Sequence, residues 1–424
     1  MITQMKTLTC DVAVVGAGPA GLAAAEAAKL AGAGKVLAIE RDTAAGGILQ
    51  QCIHPGFGLK MFDEELTGPE YAGRYQERAA AAGVELLTGT TALELRDGEL
   101  VCAGADGLLH VRFGALVLAM GCRERTRANL VIPGSRPSGI YTAGTAQKLI
   151  NLYGDKVGKE VVILGSGDIG MIMARRLTLE GAHVKAVVEL LPFLAGLTRN
   201  KVQCLDDFGI PLLLSHTVVD VDGVDRLASV TIAPVDEKRR PILEKKETIP
   251  CDTLLLSVGL IPENELSRTG GIELSPVTRG PVVNQFKQTS NPAVFACGNV
   301  LHVNDLVDHV SRESAEAGRN AALFAAGTLP AGAAQPTVAG PGIRDVCPQR
   351  VVADGGADVT LFFRTVAPGR GTTLRCTSGG AELARKRCPR TSPGTMESLT
   401  IPKDAVAALS APVEISCEHE EALA

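Results

Sequence analysis

Short apolar runs alternate along the chain with longer stretches in which apolar and polar positions follow helical spacing. From Asp11 to Leu30 it reads DVAVVGAGPAGLAAAEAAKL: an apolar strand, a glycine turn and an alanine-rich helix. KVLAIE then predicts a second strand ending on Glu40. The same order returns in EVVILGSGDIGMIMARRLTLEGAHVKAVVE, with equal spacing from Gly16 to Glu40 and from Gly165 to Glu189. FGALVLAMG (Phe113 to Gly121) and CDTLLLSVGLIPEN (Cys251 to Asn264) each predict a buried strand running up to a glycine. NPAVFACGNV does the same before a helix expected from Leu306 to Ala326.

The stretch AAGTLPAGAAQPTVAGPG, ending at Gly342, reads as a linker. Beyond it, short alternating segments such as DVTLFFRT (Asp358 to Thr365) and SLTIP lie between Gly, Pro and Ser turns and predict strands. The expected fold is α/β, with two Rossmann-like dinucleotide-binding domains, the second inserted in the first, plus a small β-rich C-terminal domain. The expected boundaries are 1–126 with 278–327 for the first, 127–277 for the second, 328–342 for the linker and 343–424 for the last. A chain of 424 residues, 46% of them hydrophobic, is long enough for two or three cores.

In GAGPAG, Gly16 permits a tight turn, Gly18 lets a pyrophosphate approach the backbone, and Gly21 lets helix and strand pack closely. The helix N-terminus adds partial positive charge. Glu40 is placed to accept hydrogen bonds from a ribose diol. Gly165, Gly167, Gly170 and Glu189 repeat the set. A carboxylate at that strand end repels a 2′-phosphate, so NAD(H) is favoured over NADP(H). A second domain that keeps its fold and binds nothing is the alternative.

Composition narrows the class further. The net charge of −5, without long runs of one sign, argues against nucleic acid as a partner. The eleven cysteines form no CxC or CxxC pair, which points to reduced thiols in a cytoplasmic protein. Cys347, Cys376, Cys388 and Cys417 are too far apart for an iron–sulfur module, and no metal site is expected. The N-terminus lacks the apolar core of a signal peptide, and no run has the length of a membrane span.

With these motifs in order (GAGPAG and Glu40, VLAMGCRER around Gly121, GSGDIG and Glu189, SVGLIPEN around Gly259, TSNPAVFACGN ending at Asn299), residues 8 to 327 resemble the two-dinucleotide-domain flavoproteins of the pyridine nucleotide-disulfide oxidoreductase superfamily. The resemblance implies FAD on Gly16, Gly18, Gly21, Glu40, Arg41, Gly47, Gly121, Gly298 and Asn299. It implies NAD on Gly165, Gly167, Gly170, Glu189 and Gly259. Asn299 stands where such proteins usually carry aspartate, and its side-chain carbonyl can still accept from a ribityl hydroxyl. GGILQQCIHPGFG and CGNVLHVNDLVDHVSRES are similar to the smaller flavoprotein subunits of bacterial hetero-oligomeric amino-acid or glycerol-3-phosphate-type dehydrogenases and oxidases, including those of opine oxidase, hydrogen cyanide synthase and sarcosine oxidase.

The dithiol positions of thioredoxin and glutathione reductases hold no cysteine pair here, which leaves Cys52. A thiolate there would need a cation such as protonated His54; the expectation is a thiol near the flavin that is not required for electron transfer. His302 and His309 flank a helix start that either faces the flavin or is simply solvated. Arg385-Lys386-Arg387 reads as a solvated strand or turn. The function expected is an FAD-dependent oxidoreductase passing hydride between NAD(H) and flavin. Its expected partners are a small-molecule redox substrate and a second flavoprotein subunit, in a dehydrogenase or oxidase acting on an amino acid, amine or hydroxy acid. Two alternatives stand beside it: an NADH-dependent thiol peroxidase or disulfide reductase using Cys52 alone, and a non-catalytic nucleotide-binding assembly subunit.

Overall fold

The structure, a computed structural model, describes residues 6–353 and 356–422. It falls into two compact units, one built from both ends of the chain, up to Cys122 and from Pro262 onward, the other from Arg123 to Ile261.

In the first unit β1 (Lys6–Val15) leads through a glycine turn into α1 (Pro19–Leu30) and then β2 (Val36–Ile39). Helix α2 (Gly68–Ala81) follows, and β3 (Gly107–Leu118) closes the segment. β1 runs parallel to both β2 and β3. Val12 and Val14 face α1 through Ala24, Ala25 and Ala28, whereas Ala13 and Val15 join Leu37, Ile39, Leu116 and Leu118 on the other side. Both faces of the sheet are therefore buried, which is why these strands read as continuous apolar runs rather than as alternation.

The second unit repeats the plan. β4 (Glu160–Leu164), α3 (Asp168–Leu179) and β5 (His183–Val188) form the strand–helix–strand element, and β6 (Thr253–Leu256) pairs parallel to β4. Back in the first unit, β7 (Val294–Ala296) pairs parallel to the end of β3, and α4 (Val307–Ala325) packs on α1. The packing is close: a Cβ on Gly318 of α4 would lie 1.9 Å from the Ala24 carbonyl oxygen of α1.

One expectation about the connection is corrected. Within the stretch read as a linker, residues 334–339 form β8 (Ala334–Ala339), which pairs antiparallel to Arg350–Val352 and parallel to Val413–Glu418. Its partners come from far along the chain, so its Ala, Gly and Pro-rich surroundings carry no local sign of it. The β-rich region has its own core around Val351, Leu361, Phe363, Leu374 and Ile415. It belongs to the first unit, joined there by paired bonds between Gln285 and Val352 (2.9 and 2.8 Å). Arg385, Lys386 and Arg387 lie exposed on the strand Ala381–Thr391 and pair with Glu382, Glu397 and Glu420.

Replacing Gly318 by alanine forces α1 and α4 apart, and the expected cost is about 1–3 kcal/mol of stability, read as a lowered Tm. Gly73→Ala in α2, where a Cβ meets nothing within 4 Å, is the control and leaves Tm unchanged or slightly raised. Equal melting of Gly318→Ala and the parent protein would contradict the close helix contact.

Candidate functional site: two dinucleotide cradles

The turn between β1 and α1 is held by one buried carboxylate. Glu40 accepts from Ala17 N at 2.8 Å through Oε2 and from Asp42 N at 2.9 Å through Oε1. Gly16, at φ +98°, is pressed against the end of β3, where a Cβ would come 2.5 Å from the Ala119 carbonyl oxygen. A Cβ on Gly21 would lie 1.7 Å from the Gly16 oxygen, so only glycine fits there.

Gly18 differs from its two neighbours. Its φ of −73° suits any residue, and an added Cβ would meet only Gly47 Cα, at 3.8 Å. The fold does not require glycine at this position; the missing side chain leaves room beside the α1 N-terminus. Gly47 (φ +55°) sets the short helix Gly47–Gln51 against Gly18. Gly298 (φ +70°) brings the VFACGN turn onto the first turn of α1, since a Cβ there would reach Ala20 Cβ at 2.7 Å. Gly121 (φ +72°) lies just beyond β3, and Arg41 is exposed beside Glu40. Asn299 Oδ1 accepts from Asn304 N at 3.0 Å and keeps a second lone pair, while Nδ2 points at Cys122 Sγ, 3.6 Å away. These residues collect at the carboxyl ends of the parallel strands, the usual ligand crevice of such sheets.

The second unit carries the matching cradle. Gly165 (φ +101°) abuts the Ser257 carbonyl, and Gly170 N donates to Ser257 Oγ at 3.0 Å. Gly167, at φ −64°, again leaves open space, with Ser257 Oγ nearest an added Cβ at 3.4 Å. Glu189 accepts from Ser166 N, Ser166 Oγ and Leu191 N at 2.8, 2.7 and 2.9 Å. Asp168 would oppose an anion at the α3 N-terminus, but its Oδ1 is turned to Leu197 N and Asn200 Nδ2. Gly259 (φ +96°) follows β6, with nothing within 4 Å of an added Cβ.

Cys52 caps the Gly47–Gln51 helix, its Sγ donating to the Ile48 carbonyl at 3.3 Å. Burial pushes this thiol up to about 12, so it stays protonated at neutral pH. His54 Nδ1 lies 3.0 Å from its neighbour's carbonyl, that of Pro55.

His302 is buried, against the reading of a solvated surface histidine, and its Nε2 lies 2.9 Å from Glu313 Oε1. Buried Lys287 approaches the same oxygen at 3.3 Å, and Glu313 Oε2 accepts from Gly298 N at 3.2 Å. Burial alone would raise the Glu313 carboxyl, but the pull of His302 and Lys287 wins and holds it at about 2. His309 Nε2 sits 3.1 Å from Lys60 Nζ, and burial together with that ammonium lowers its pKa. On the β-rich side Arg364 bonds Asp305 and the Val303 carbonyl, while Met396 N donates to Asp305. Sequence reading missed Lys287, Glu313, Arg364 and Asp305, because nothing local marks a charge that will be buried. Ser166 was visible inside its motif, but its hydroxyl's partner was not.

The match to the family model of pyridine nucleotide-disulphide oxidoreductases runs from residue 10 to 322, and the chain belongs to that family. The family is one of oxidoreductases and implies FAD and a pyridine nucleotide. Among curated proteins it is 28% identical to hydrogen cyanide synthase subunit HcnB of Pseudomonas protegens, over 69% of this chain and 66% of that one. It is likewise 28% identical to one of the subunits of opine oxidase from Agrobacterium tumefaciens, over 68% and 61%. The chain thus spans less than two thirds of the length of these relatives. In fold it is similar to thioredoxin reductase of T. acidophilum, with TM-score 0.61 and 23% identity over 75% of this chain and 99% of that one. It is also similar to an NAD-dependent persulfide reductase from A. fulgidus, with TM-score 0.58 and 18% identity over 88% and 68%. No helix among the described residues is long and apolar enough to cross a membrane.

Because the backbone at Gly18 accepts any residue, Gly18→Val is expected to fold with the circular dichroism and Tm of the parent yet to purify without flavin. Full flavin content in the folded variant would remove Gly18 from the cofactor site.

Proposed function

We propose that this chain is an FAD-dependent oxidoreductase that passes hydride between NAD(H) and the flavin, as the flavoprotein subunit of a hetero-oligomeric dehydrogenase or oxidase acting on an amino acid, amine or hydroxy acid. One observation carries the reading. Two glycine turns, each with open space over a helix N-terminus and a buried carboxylate at the neighbouring strand end, occur in one chain. The role within a larger enzyme is supported by relatives named as subunits of hydrogen cyanide synthase and opine oxidase. Eleven free cysteines, most of them buried, favour a cytoplasmic setting.

FAD, when bound, supplies a ring that takes up and gives back two electrons. The chain's own residues hold and orient. Gly18 and the α1 N-terminus receive the pyrophosphate, Glu40 accepts from the ribose hydroxyls, and Asn299 offers its free carbonyl lone pair to the ribityl chain. In the second unit Gly167 and the α3 N-terminus receive the nicotinamide nucleotide's pyrophosphate, and Glu189 disfavours a 2′-phosphate. Cys52 serves as a helix cap, and its protonated thiol supports leaving it out of the electron path.

The purified protein is expected to be yellow and to bleach with NADH under anaerobic conditions, with NADPH at least about tenfold less effective, one charge–charge repulsion being worth roughly 1.4 kcal/mol or more. Glu189→Gln, which removes the charge but keeps a side-chain oxygen to accept from Ser166 N, narrows that preference by weakening NADH and relieving NADPH. Equal rates with both nucleotides in the unmodified protein would overturn the NAD assignment.

The Cys52→Ser variant is expected to retain NADH reduction of the flavin within a few-fold. A thiolate absorbance from Cys52, taken as parent minus variant, should rise only as pH approaches about 12. A thiolate-to-flavin charge-transfer band at neutral pH, or a variant that NADH cannot reduce, would bring back the thiol-based reading.

A further inference from the structure

The two cradles repeat each other bond for bond. Gly16 N donates to the Ile39 carbonyl and Gly165 N to that of Val188, at 2.8 and 2.7 Å. Ala17 N and Ser166 N each reach Oε2 of their glutamate at 2.8 Å, and Asp42 N and Leu191 N each reach Oε1 at 2.9 Å. Gly46 N donates to the Ala17 carbonyl as Gly196 N does to that of Ser166, at 2.8 and 3.0 Å. Against this shared frame one difference falls on the carboxylate itself. The residue between the first two glycines is alanine in one copy and serine in the other.

Ser166 is fully buried, and its hydroxyl donates to Glu189 Oε2 at 2.7 Å while accepting from Ala195 N at 3.0 Å. A carboxylate has about four acceptor positions, two on each oxygen. Glu40 spends one on each oxygen and keeps one on each, side by side, which suits two adjacent hydroxyls. Glu189 spends both positions of Oε2 on Ser166 and one of Oε1 on Leu191, and keeps a single position on Oε1.

We propose that Ser166 is a specificity-determining residue of the second cradle: its hydroxyl blocks one of the two acceptor positions that a ribose diol would use, so Glu189 engages one hydroxyl where Glu40 engages two. The inference rests on the reading of Glu189 as the ribose acceptor of a nicotinamide nucleotide. Its consequence is an internal asymmetry of grip. The first cradle is built to retain its nucleotide, and the second to let one bind and leave. It also predicts different tolerance of the two sites to loss of a hydroxyl. The second cradle should accept an adenosine moiety lacking one of the 2′ and 3′ hydroxyls with little penalty, because only one of them has a carboxylate position to occupy.

The test is equilibrium binding, by calorimetry on the full chain loaded with oxidised FAD, with NAD+, which cannot reduce the flavin, ADP-ribose and their 2′-deoxy and 3′-deoxy adenosine analogues. Ser166→Ala should tighten NAD+ and ADP-ribose about fivefold, the usual net worth of one hydrogen bond. In the parent one of the two deoxy analogues should bind like the full nucleotide, and in the variant both should bind more weakly. The reverse exchange, Ala17→Ser, should weaken FAD by a similar factor, measured by fluorescence as flavin is released on dilution. Thermal melting is followed alongside, because Ser166→Ala also removes the acceptor of Ala195 N. Unchanged or weaker NAD+ binding at unchanged melting would overturn the proposal. If neither the parent nor the variant binds NAD+ or ADP-ribose, the nucleotide reading of the second cradle fails, and Ala17→Ser still decides the acceptor argument at the first: undiminished FAD affinity there would refute it.

Discussion

The carboxylate at the end of the second strand, accepting the N–H inside the glycine turn, is the contact on which both dinucleotide folds depend. With Glu40 drawing in Ala17 N, and Glu189 drawing in Ser166 N, each turn is fixed against its sheet and the following helix is aimed with its N-terminus at open space. Buried carboxylates are costly unless hydrogen bonded, and here the backbone supplies those bonds. The same bonds leave a set number of acceptor positions for a ligand. On the function proposed above, one group in each fold thus serves both the turn and the ligand.

A second buried network ties the β-rich region to the first fold. Glu313 holds Gly298 N and is itself held by His302 and Lys287, while Phe362 of the β-rich region lies against both the His302 ring and the Lys287 ammonium, at 6.2 and 5.7 Å. Arg364 and Met396 N together engage Asp305, in the segment between that turn and α4. Breaking a buried ion pair by removing one partner costs roughly 3–5 kcal/mol, since the other charge is left uncompensated. The β-rich region therefore supplies part of what holds the VFACGN turn against α1, and the thioredoxin reductase fold, which covers 75% of this chain, is here extended rather than merely followed by a tail.

The sequence by itself determined the two dinucleotide folds, the strands running up to Gly121, Gly259 and Gly298, and the helix after Asn299. Each rests on local physics: glycine where φ is positive or a Cβ would clash, apolar runs where both sheet faces are covered, and a glutamate at a set distance from its glycines. Only the tertiary structure decided the strand Ala334–Ala339 inside an apparent linker, because its partners lie at 350–352 and 413–418. Only there could Lys287, His302 and Glu313 be seen as one network, since burial of a charge depends on elements far apart in the chain. The same holds for Ser166: its place in the motif is plain from the sequence, but which oxygen its hydroxyl occupies is set by the packing of Glu189 and Ala195 around it.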